Sequence, residues 1–516
     1  MSGTTTITAA SSINELPDDV QTLRQMVLTL LGQIDDLHGQ LHYLKRQLFG
    51  RKSEKLDPNQ RLLFENLYEE IQGKIEEQQQ EQEKKRPPRK SSRRRHPGRK
   101  PLPAELPREE IIIEPDAAET TCSACGSTKE PIGREVTEKL DYRPASFFVK
   151  QYVRHKYACK QCAGEVAIGS LPAMAVDKGI CGEGLLAHII TSKYCDHAPL
   201  NRLEGILKRH GVDLSVSTMC DQVGRCADLL APLVNRMHQR VLASPTINTD
   251  DTGIPVKSPS RKGSTYTGYL WAYISAAREV VFDFTPTRSR EGPLRMLQDY
   301  QGYVQADAYS GYDELFRRSE VTEVGCHAHA RRKFEYALDT APVKAAQMMA
   351  LWSRLYEIER RAKQEGYDAA RLLDTRQKEA RPILTQMYAL LEAHQKDALP
   401  KSSLGKAVTY ALNQWGALLR YVDDPRLAID NNLAERVLRM VVIGRKNYLF
   451  AGSEAGAKRA AIIYSLAATC KLHEVDPFAY FRDVLARVST HPAGRIDELL
   501  PAPWKSLQNQ TDDLAA

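Results

Sequence analysis

Residues 246–256 read Thr246-Ile-Asn-Thr-Asp250-Asp251-Thr-Gly-Ile-Pro-Val256, and residues 303–312 read Tyr303-Val-Gln-Ala-Asp307-Ala-Tyr-Ser-Gly-Tyr312. Each carries a short β-type run that ends on an acid. Between them, 268–275 and 280–285 have the β-branched and aromatic content of two further strands, and 288–300 reads as a helix. Residues 321–327 supply a fifth strand. A lone aspartate after a strand is usually a turn or cap former. Here two acids recur at corresponding places in the order β-β-β-α-β-α-β, and the order lifts them above that explanation.

That order belongs to a ribonuclease-H-like nuclease core, an α/β fold that brings strand-end acids together on neighbouring central strands. Asp250 and Asp307 there can hold a pair of Mg²⁺ (or Mn²⁺) ions about 3.5–4 Å apart, one at the attacking oxygen and one at the leaving oxygen. A third acid is expected from a later helix. Residues 429–439, Ile429-Asp-Asn-Asn-Leu-Ala-Glu435-Arg-Val-Leu-Arg439, place Glu435 just inside a helix whose N-cap region is Asp430 and the asparagine pair. The competing reading of Glu435 is an i,i+4 ion pair with Arg439. Residues 330–421 are mostly helical in pattern and read as an insertion that leaves the metal site intact. The core is therefore expected at 241–334 and 426–486, the helical insertion at 335–425 and a C-terminal tail at 487–516.

Outward from the core, the chain of 516 residues is long enough for about three to five folded units. Its 42% hydrophobic content excludes wholesale disorder. No apolar run reaches membrane-spanning length, and residues 1–14 have no apolar signal core. At the N-terminal side, Val20, Val27, Ile34, Leu41 and Leu48 alternate with Leu23, Leu30, Leu37 and Leu44 in an a/d heptad. Mostly β-branched residues at a and Leu at d favour a parallel two-stranded coiled coil, hence a homodimer. Coiled-coil helices are assigned to 15–83 and a disordered basic linker to 84–105. Residues 84–100 contain ten Lys or Arg, three Pro and no acid. Such a tract cannot fold compactly and suits sequence-independent phosphate contact, with Arg93, Arg94, Arg95, Arg99 and Lys100 as candidates.

Two C-x-x-C pairs follow, Cys122/Cys125 and Cys159/Cys162, separated by 33 residues. Two such knuckles supply the four tetrahedral thiolates of a closed structural zinc site, giving a zinc-binding module at 106–175. Residues 146–157 alternate, with Val149, Val153 and Tyr157 on one face and Phe148, Lys150, Tyr152, Arg154 and Lys156 on the other. Interleaved basic and aromatic side chains suit a DNA-facing ribbon. The other six cysteines are expected to be small core residues. Residues 176–240 read as three helices, the third capped by Ser215 or Ser217, in a helix-turn-helix-like DNA-binding region.

Across nearly its whole length the chain resembles the large DDE transposase of the IS sixty-six family of bacterial insertion sequences. The resemblance is carried by the zipper, by Leu48-Phe-Gly-Arg-Lys-Ser-Glu-Lys55 and Leu102-Pro-Ala-Glu-Leu-Pro-Arg108, and by the zinc knuckles. It continues through Ser192-Lys-Tyr-Cys-Asp-His197, Cys326-His-Ala-His329-Ala-Arg-Arg332-Lys-Phe334, Gly444-Arg-Lys-Asn-Tyr-Leu-Phe-Ala-Gly-Ser453 and Glu498-Leu-Leu-Pro501. It implies Asp250, Asp307 and Glu435 as the triad of a Mg²⁺-dependent strand transferase acting on element ends and target DNA. Asp251 stands where the family usually has Glu, and His327 where a bulky aromatic is common. His329, Arg331 and Arg332 are expected near the scissile phosphate or the core, and Arg445 and Lys446 on the DNA backbone. Small accessory proteins of the same element are possible partners, and the expected location is the bacterial cytoplasm, on the nucleoid when bound to DNA. The alternative is a non-catalytic DNA-binding regulator or domesticated transposase.

The charge of +7 has an anatomy. Residues 1–83 hold 8 basic and 14 acidic side chains, a net −6; residues 84–100 carry +10; the remaining 416 carry +3. Contact with nucleic acid is therefore expected first at the tether.

Overall fold

The computed structural model describes residues 21, 146–157, 167–177, 179–260 and 263–515. The zipper heptads, the basic tract with Arg93, Arg94, Arg95, Arg99 and Lys100, and the four knuckle cysteines lie outside the described residues. Residues 146–150 belong to a different compact unit from residues 151–515.

The ribbon expected over 146–157 is a strand only at its end. Lys156–Tyr157 (β1) pairs antiparallel with Ala167–Ile168 (β2). Phe148, Val149, Val153 and Tyr157 are all exposed, so the alternation buries neither face. Lys150, Arg154 and Lys156 are exposed as well, and Arg154 donates to Gly169 O at 3.2 Å.

Within residues 179–245 three helices lead into the main sheet: Glu183–Tyr194 (α1), Leu200–Arg209 (α2) and Val216–Leu242 (α3). Ser215 caps α3, its side chain accepting from Thr218 N at 3.2 Å, as its place in the sequence suggests. These helices share one hydrophobic cluster with the sheet, through residues such as Ile189, Leu203, Leu230 and Met237. The 27-residue α3 is a core helix packed against the sheet.

The sheet has five strands: Thr246–Lys257 (β3), Thr265–Ser275 (β4), Val280–Thr285 (β5), Gly302–Gln305 (β6) and Val321–Val324 (β7). Their order is β5-β4-β3-β6-β7. The first three are antiparallel neighbours; β6 and β7 run parallel to β3. Central β3 pairs with β4 over its whole length, Ile247 to Lys257, and with β6 only at Thr246, Ile247 and Asn248. Beyond Asn248 the β6-facing edge leaves β6 and takes its bonds from Asn431, Arg445 and Ala451 instead, and Asp250 sits there. Between β5 and β6 the helix is shorter than its pattern, Glu291–Met296 (α4). Gly302 opens β6 at φ 139°, where a Cβ would lie 2.8 Å from Pro245 O. After β6 comes a short helix, Asp313–Phe316 (α5).

β7 ends at Val324, and His327, expected at the end of that strand, instead begins the helix His327–Ala337 (α6). The insertion follows: Pro342–Gln364 (α7), Ala369–Thr375 (α8), Arg381–Asp397 (α9), Ser403–Asn413 (α10) and Trp415–Leu419 (α11). It has its own hydrophobic cluster around Phe334, Trp352, Met387 and Leu418. Its two ends meet, because His327 N donates to Ile429 O at 3.2 Å. The chain thus returns beside the sheet for Asn432–Tyr448 (α12) and Glu454–Leu472 (α13), then Pro477–Arg487 (α14) and Pro501–Ala515 (α15). α12 packs on β3, and α13 packs on β5.

His327 is a satisfied core side chain. It is fully buried, Nε2–H reaches Leu418 O at 3.0 Å, and Nδ1 accepts from Trp352 Nε1 at 3.1 Å. Burial pushes its pKa down to about 4. Cys181, Cys226, Cys326 and Cys470 are buried free thiols as expected, whereas Cys195 is half-buried and Cys220 exposed. Among the described residues no helix is long and apolar enough to cross a membrane.

Candidate active site

The three candidate acids come from three separate segments. Asp250 lies on β3, Asp307 two residues past the end of β6, and Glu435 in the first turn of α12. Asp250 is half-buried, and its carboxyl is pushed up to about 7. Burial is the main cause, and the negative charges of Asp307, Asp251 and Glu435 add to it; only a hydrogen bond from Asp251 N to Oδ1, at 2.8 Å, opposes them. All three candidate acids therefore share one electrostatic neighbourhood.

Strand alternation separates the two adjacent aspartates. Asn248, Asp250 and Thr252 share the face turned to α12, where Asn248 bonds Asn431 and Thr252 bonds Arg445. Asp251 takes the opposite face with Thr249, whose hydroxyl meets Tyr312 OH at 3.1 Å. There the Asp251 carboxylate is held by the Arg288 guanidinium, Nη2 to Oδ1 at 2.8 Å and Nε to Oδ2 at 3.1 Å. The Arg288 guanidinium lies over the Tyr309 ring, 4.0 Å from its centroid, and Nη2 is also 3.9 Å from Asp307. Burial raises the Asp251 pKa while Arg288 pulls against it. Asp250 is the aspartate on the α12 face, where the charge of Glu435 acts on it.

Protein nitrogens already stand beside Glu435. Arg332 Nη2 is 3.2 Å from Oε1 and 3.5 Å from Oε2, and His329 Nε2 is 3.6 Å from Oε1. Arg331 turns elsewhere on α6, its guanidinium 5.9 Å from the Tyr356 ring. Arg445 also faces inward: Nη1 donates to Thr252 Oγ1 at 3.0 Å and to Gly253 O. Through Nη1 it clamps α12 to β3, because a helix lying on a strand edge leaves carbonyls that need donors. Lys446, on the other side of the helix, is exposed.

Beneath the acids lies an amide network that escaped the sequence reading. Asn431 is fully buried; Nδ2 donates to Thr249 O at 2.8 Å, Oδ1 accepts from Asn248 Nδ2 at 2.9 Å, and its N–H meets Cys326 Sγ at 3.2 Å. Asn248 Nδ2 also donates to Gln305 Oε1 at 2.9 Å, and Gln305 Nε2 donates to Ala428 O at 2.8 Å and Gly325 O at 3.2 Å. The network ties β3, β6 and the entry to α12 together. The available signal was an amide two residues before each aspartate, Asn248 before Asp250 and Gln305 before Asp307: polar groups on the same strand face in otherwise apolar runs.

The donor set is all carboxylate oxygen, the chemistry that suits hard divalent cations. Among the described residues, no group of three His, Cys, Asp or Glu side chains is gathered closely enough to hold an ion. The match to Mg²⁺ is one of donor type and of excess negative charge around a half-buried aspartate.

Comparison with known proteins places the chain. Residues 178–459 match the family model described as Transposase IS66 family, and residues 465–502 the IS66 C-terminal element. Residues 119–163, which include all four knuckle cysteines, match the zinc-finger binding domain of transposase IS66. Residues 36–111 match the family's leucine-zipper model, described as Transposase C of IS166 homeodomain. The class these define is a transposase with leucine-zipper and zinc-finger domains. The chain belongs to the IS66 transposase family. Among its relatives are three uncharacterized proteins of Sinorhizobium fredii. y4hP is 35% identical, covering 81% of this chain and 79% of the relative. y4jD and y4qI are each 32% identical over 96% of this chain and 98% of the relative.

Proposed function

We propose that this transposase cuts a DNA strand at the end of an insertion sequence and joins the freed 3′-OH to target DNA, with Asp250, Asp307 and Glu435 as its catalytic acids. The observation that carries this reading is the half-buried Asp250, whose ionisation is opposed at once by Asp307 and Glu435 from distant parts of the chain. Such clustering of like charge costs stability and is characteristic of a functional site. The strand order supports a ribonuclease-H-like core: numbered from β3 it runs 3-2-1-4-5, with two antiparallel and two parallel pairings.

Asp250, Asp307 and Glu435 would hold divalent metal, Mg²⁺ or Mn²⁺. Bound there, the metal would supply Lewis-acid polarisation of the phosphate and compensate the carboxylate charge. The protein's own part is orientation. Arg332 and His329 hold the Glu435 carboxylate, and the Asn248–Gln305–Asn431 network fixes the three carriers against one another. Arg288 occupies Asp251 and so leaves Asp250 to the site. Cys122, Cys125, Cys159 and Cys162 would bind one structural zinc. The zipper would pair two chains and with them two DNA ends, and the basic tract 84–105 would add salt-sensitive phosphate contact.

The test is cleavage of a duplex carrying the terminal repeat that flanks the gene, with Mg²⁺, by wild type and by Asp250→Asn, Asp307→Asn and Glu435→Gln. Each variant should bind the duplex and fail to cut it. Retained cutting in all three overturns the triad.

A further inference from the structure

The end of α12 carries a feature that neither the triad nor the core uses. Leu449 has φ 67° and ψ −46°, and Phe450 N donates to Tyr448 O at 2.8 Å. This is a γ-turn of the positive-φ kind, which is rare and strained for any side chain with a Cβ. Glycine would adopt it without that strain. Instead the turn carries two large apolar side chains that gain little from the protein: Leu449 is 64% exposed and Phe450 45%.

The turn is held at both sides. Leu449 N bonds Arg445 O at 2.9 Å, and Tyr448 OH meets Tyr464 OH at 3.1 Å. On the far side Ala451 N bonds Pro255 O at 2.8 Å, and Lys257 N bonds Ala451 O at 2.9 Å, clipping the chain to the end of β3. A strained, rigid, exposed apolar tip is a projection held ready for something outside the molecule.

Charge says what that something is. The outward face of α12 presents Arg436, Arg439, Ile443 and Lys446, all exposed and spaced three or four residues apart. Glu435, on the catalytic side, is the helix's only acid. A basic stripe thus leads from the acid cluster to the apolar tip. At 1.5 Å per residue the path from Glu435 to Leu449 is about 21 Å, or about six base steps at 3.4 Å each. Arginine and lysine that follow a phosphate backbone, ending in an apolar wedge, are the parts of a device that enters between bases and unstacks them.

We infer that Leu449 and Phe450 form a wedge that inserts into the DNA stack while Arg436, Arg439 and Lys446 follow the backbone. The inference rests on the reading of the chain as a DNA-cutting transposase, and adds how that site grips its substrate. The unstacked step lies about six steps from the cut.

The experiment uses the full chain and the terminal-repeat duplex with 2-aminopurine at successive positions, a base whose fluorescence rises on unstacking. Wild type should raise the signal at one step or two adjacent ones. Leu449→Gly should abolish that rise while leaving Tm unchanged or higher, because the backbone strain is relieved. Phe450→Ala should at least halve it. Duplex affinity should fall about tenfold in Leu449→Gly, the scale of one lost base-stacking contact. Wild type that binds the duplex with no local rise overturns the wedge, as does an undiminished rise in Leu449→Gly. A lowered Tm in Leu449→Gly would make the residue structural and also overturn it. So would a smaller oligomer in that variant with an unchanged signal, which would make the tip a protein contact. Absence of any duplex binding by wild type is a separate result, and overturns the DNA-cutting reading itself.

Discussion

Asp250→Asn should destroy strand cleavage and, without metal, make the protein more stable. The wild-type carboxyl is held at about 7 against an ordinary value of 3.8. A raised carboxyl makes the folded state bind more protons than the unfolded state between those two values, so stability falls as pH rises through that window. At pH 8 the full cost is on the order of 4 kcal/mol. Asparagine removes the charge and keeps the acceptor for Asp251 N, while its new NH₂ faces the remaining carboxylates. Some of the gain is lost to imperfect hydrogen bonding, so about 2–3 kcal/mol should survive. At roughly 2 °C per kcal/mol for a unit of this size, Tm should rise by about 4–6 °C. The assay is thermal unfolding of the full chain in EDTA at pH 8, 6 and 4, and then with Mg²⁺. The variant's advantage should be largest at pH 8 and shrink toward zero at pH 4. Mg²⁺ should raise the wild-type Tm and leave the variant's nearly unchanged. A variant no more stable than wild type at pH 8, or equally advantaged at pH 4, would refute the claim that Asp250 is an uncomfortably ionised site acid.

Three further outcomes follow from the same contacts. His327, buried and neutral with its pKa pushed down to about 4, must take a proton on unfolding below its ordinary 6.5, so about 3 kcal/mol should be lost between pH 6.5 and 4; His327→Phe should flatten that acid limb in a pH series of urea melts, at about 1–3 kcal/mol near pH 7.5 for the unpaired Trp352 N–H. Asn431→Ala leaves Asn248 and Thr249 O short of partners, so stability should fall by about 2–4 kcal/mol and cutting should fall far more than duplex affinity in a gel-shift comparison. Metal analysis of the purified chain should find one zinc per chain, falling in Cys122→Ser; less than about half a zinc with free thiols throughout would reject the four-thiolate site.

Most of the sheet could be read from the chain because its strands are written in short-range terms. β3, β4 and β5 alternate or run apolar between turn formers, and Asp307 follows a β-type run. Glu435 could be found because a helix start has its own signature. What could not be read depends on partners distant in sequence. The ribbon at 146–157 alternates convincingly, yet among the described residues only Lys156 and Tyr157 of it pair as a strand, with Ile168 and Ala167. Arg445 looks like any surface arginine beside Lys446 until β3 supplies the carbonyl it binds, 192 residues away. The amide network is likewise invisible locally: Asn431 reads as a helix cap, and its buried bonds run to residues 105, 182 and 183 positions away. Leu449 is the opposite case, a residue whose backbone strain no local propensity predicts.

The central claim is that one cluster of Asp250, Asp307 and Glu435 performs both cutting and joining. The most direct measurement is sequencing of products after the full chain is incubated with Mg²⁺, a terminal-repeat duplex and a plasmid target. The account predicts covalent joints between the repeat's 3′ end and plasmid DNA, dependent on Mg²⁺ and absent with Asp250→Asn. Joints that persist with Asp250→Asn, or a wild-type protein that binds the repeat yet neither cuts nor joins it, would contradict it.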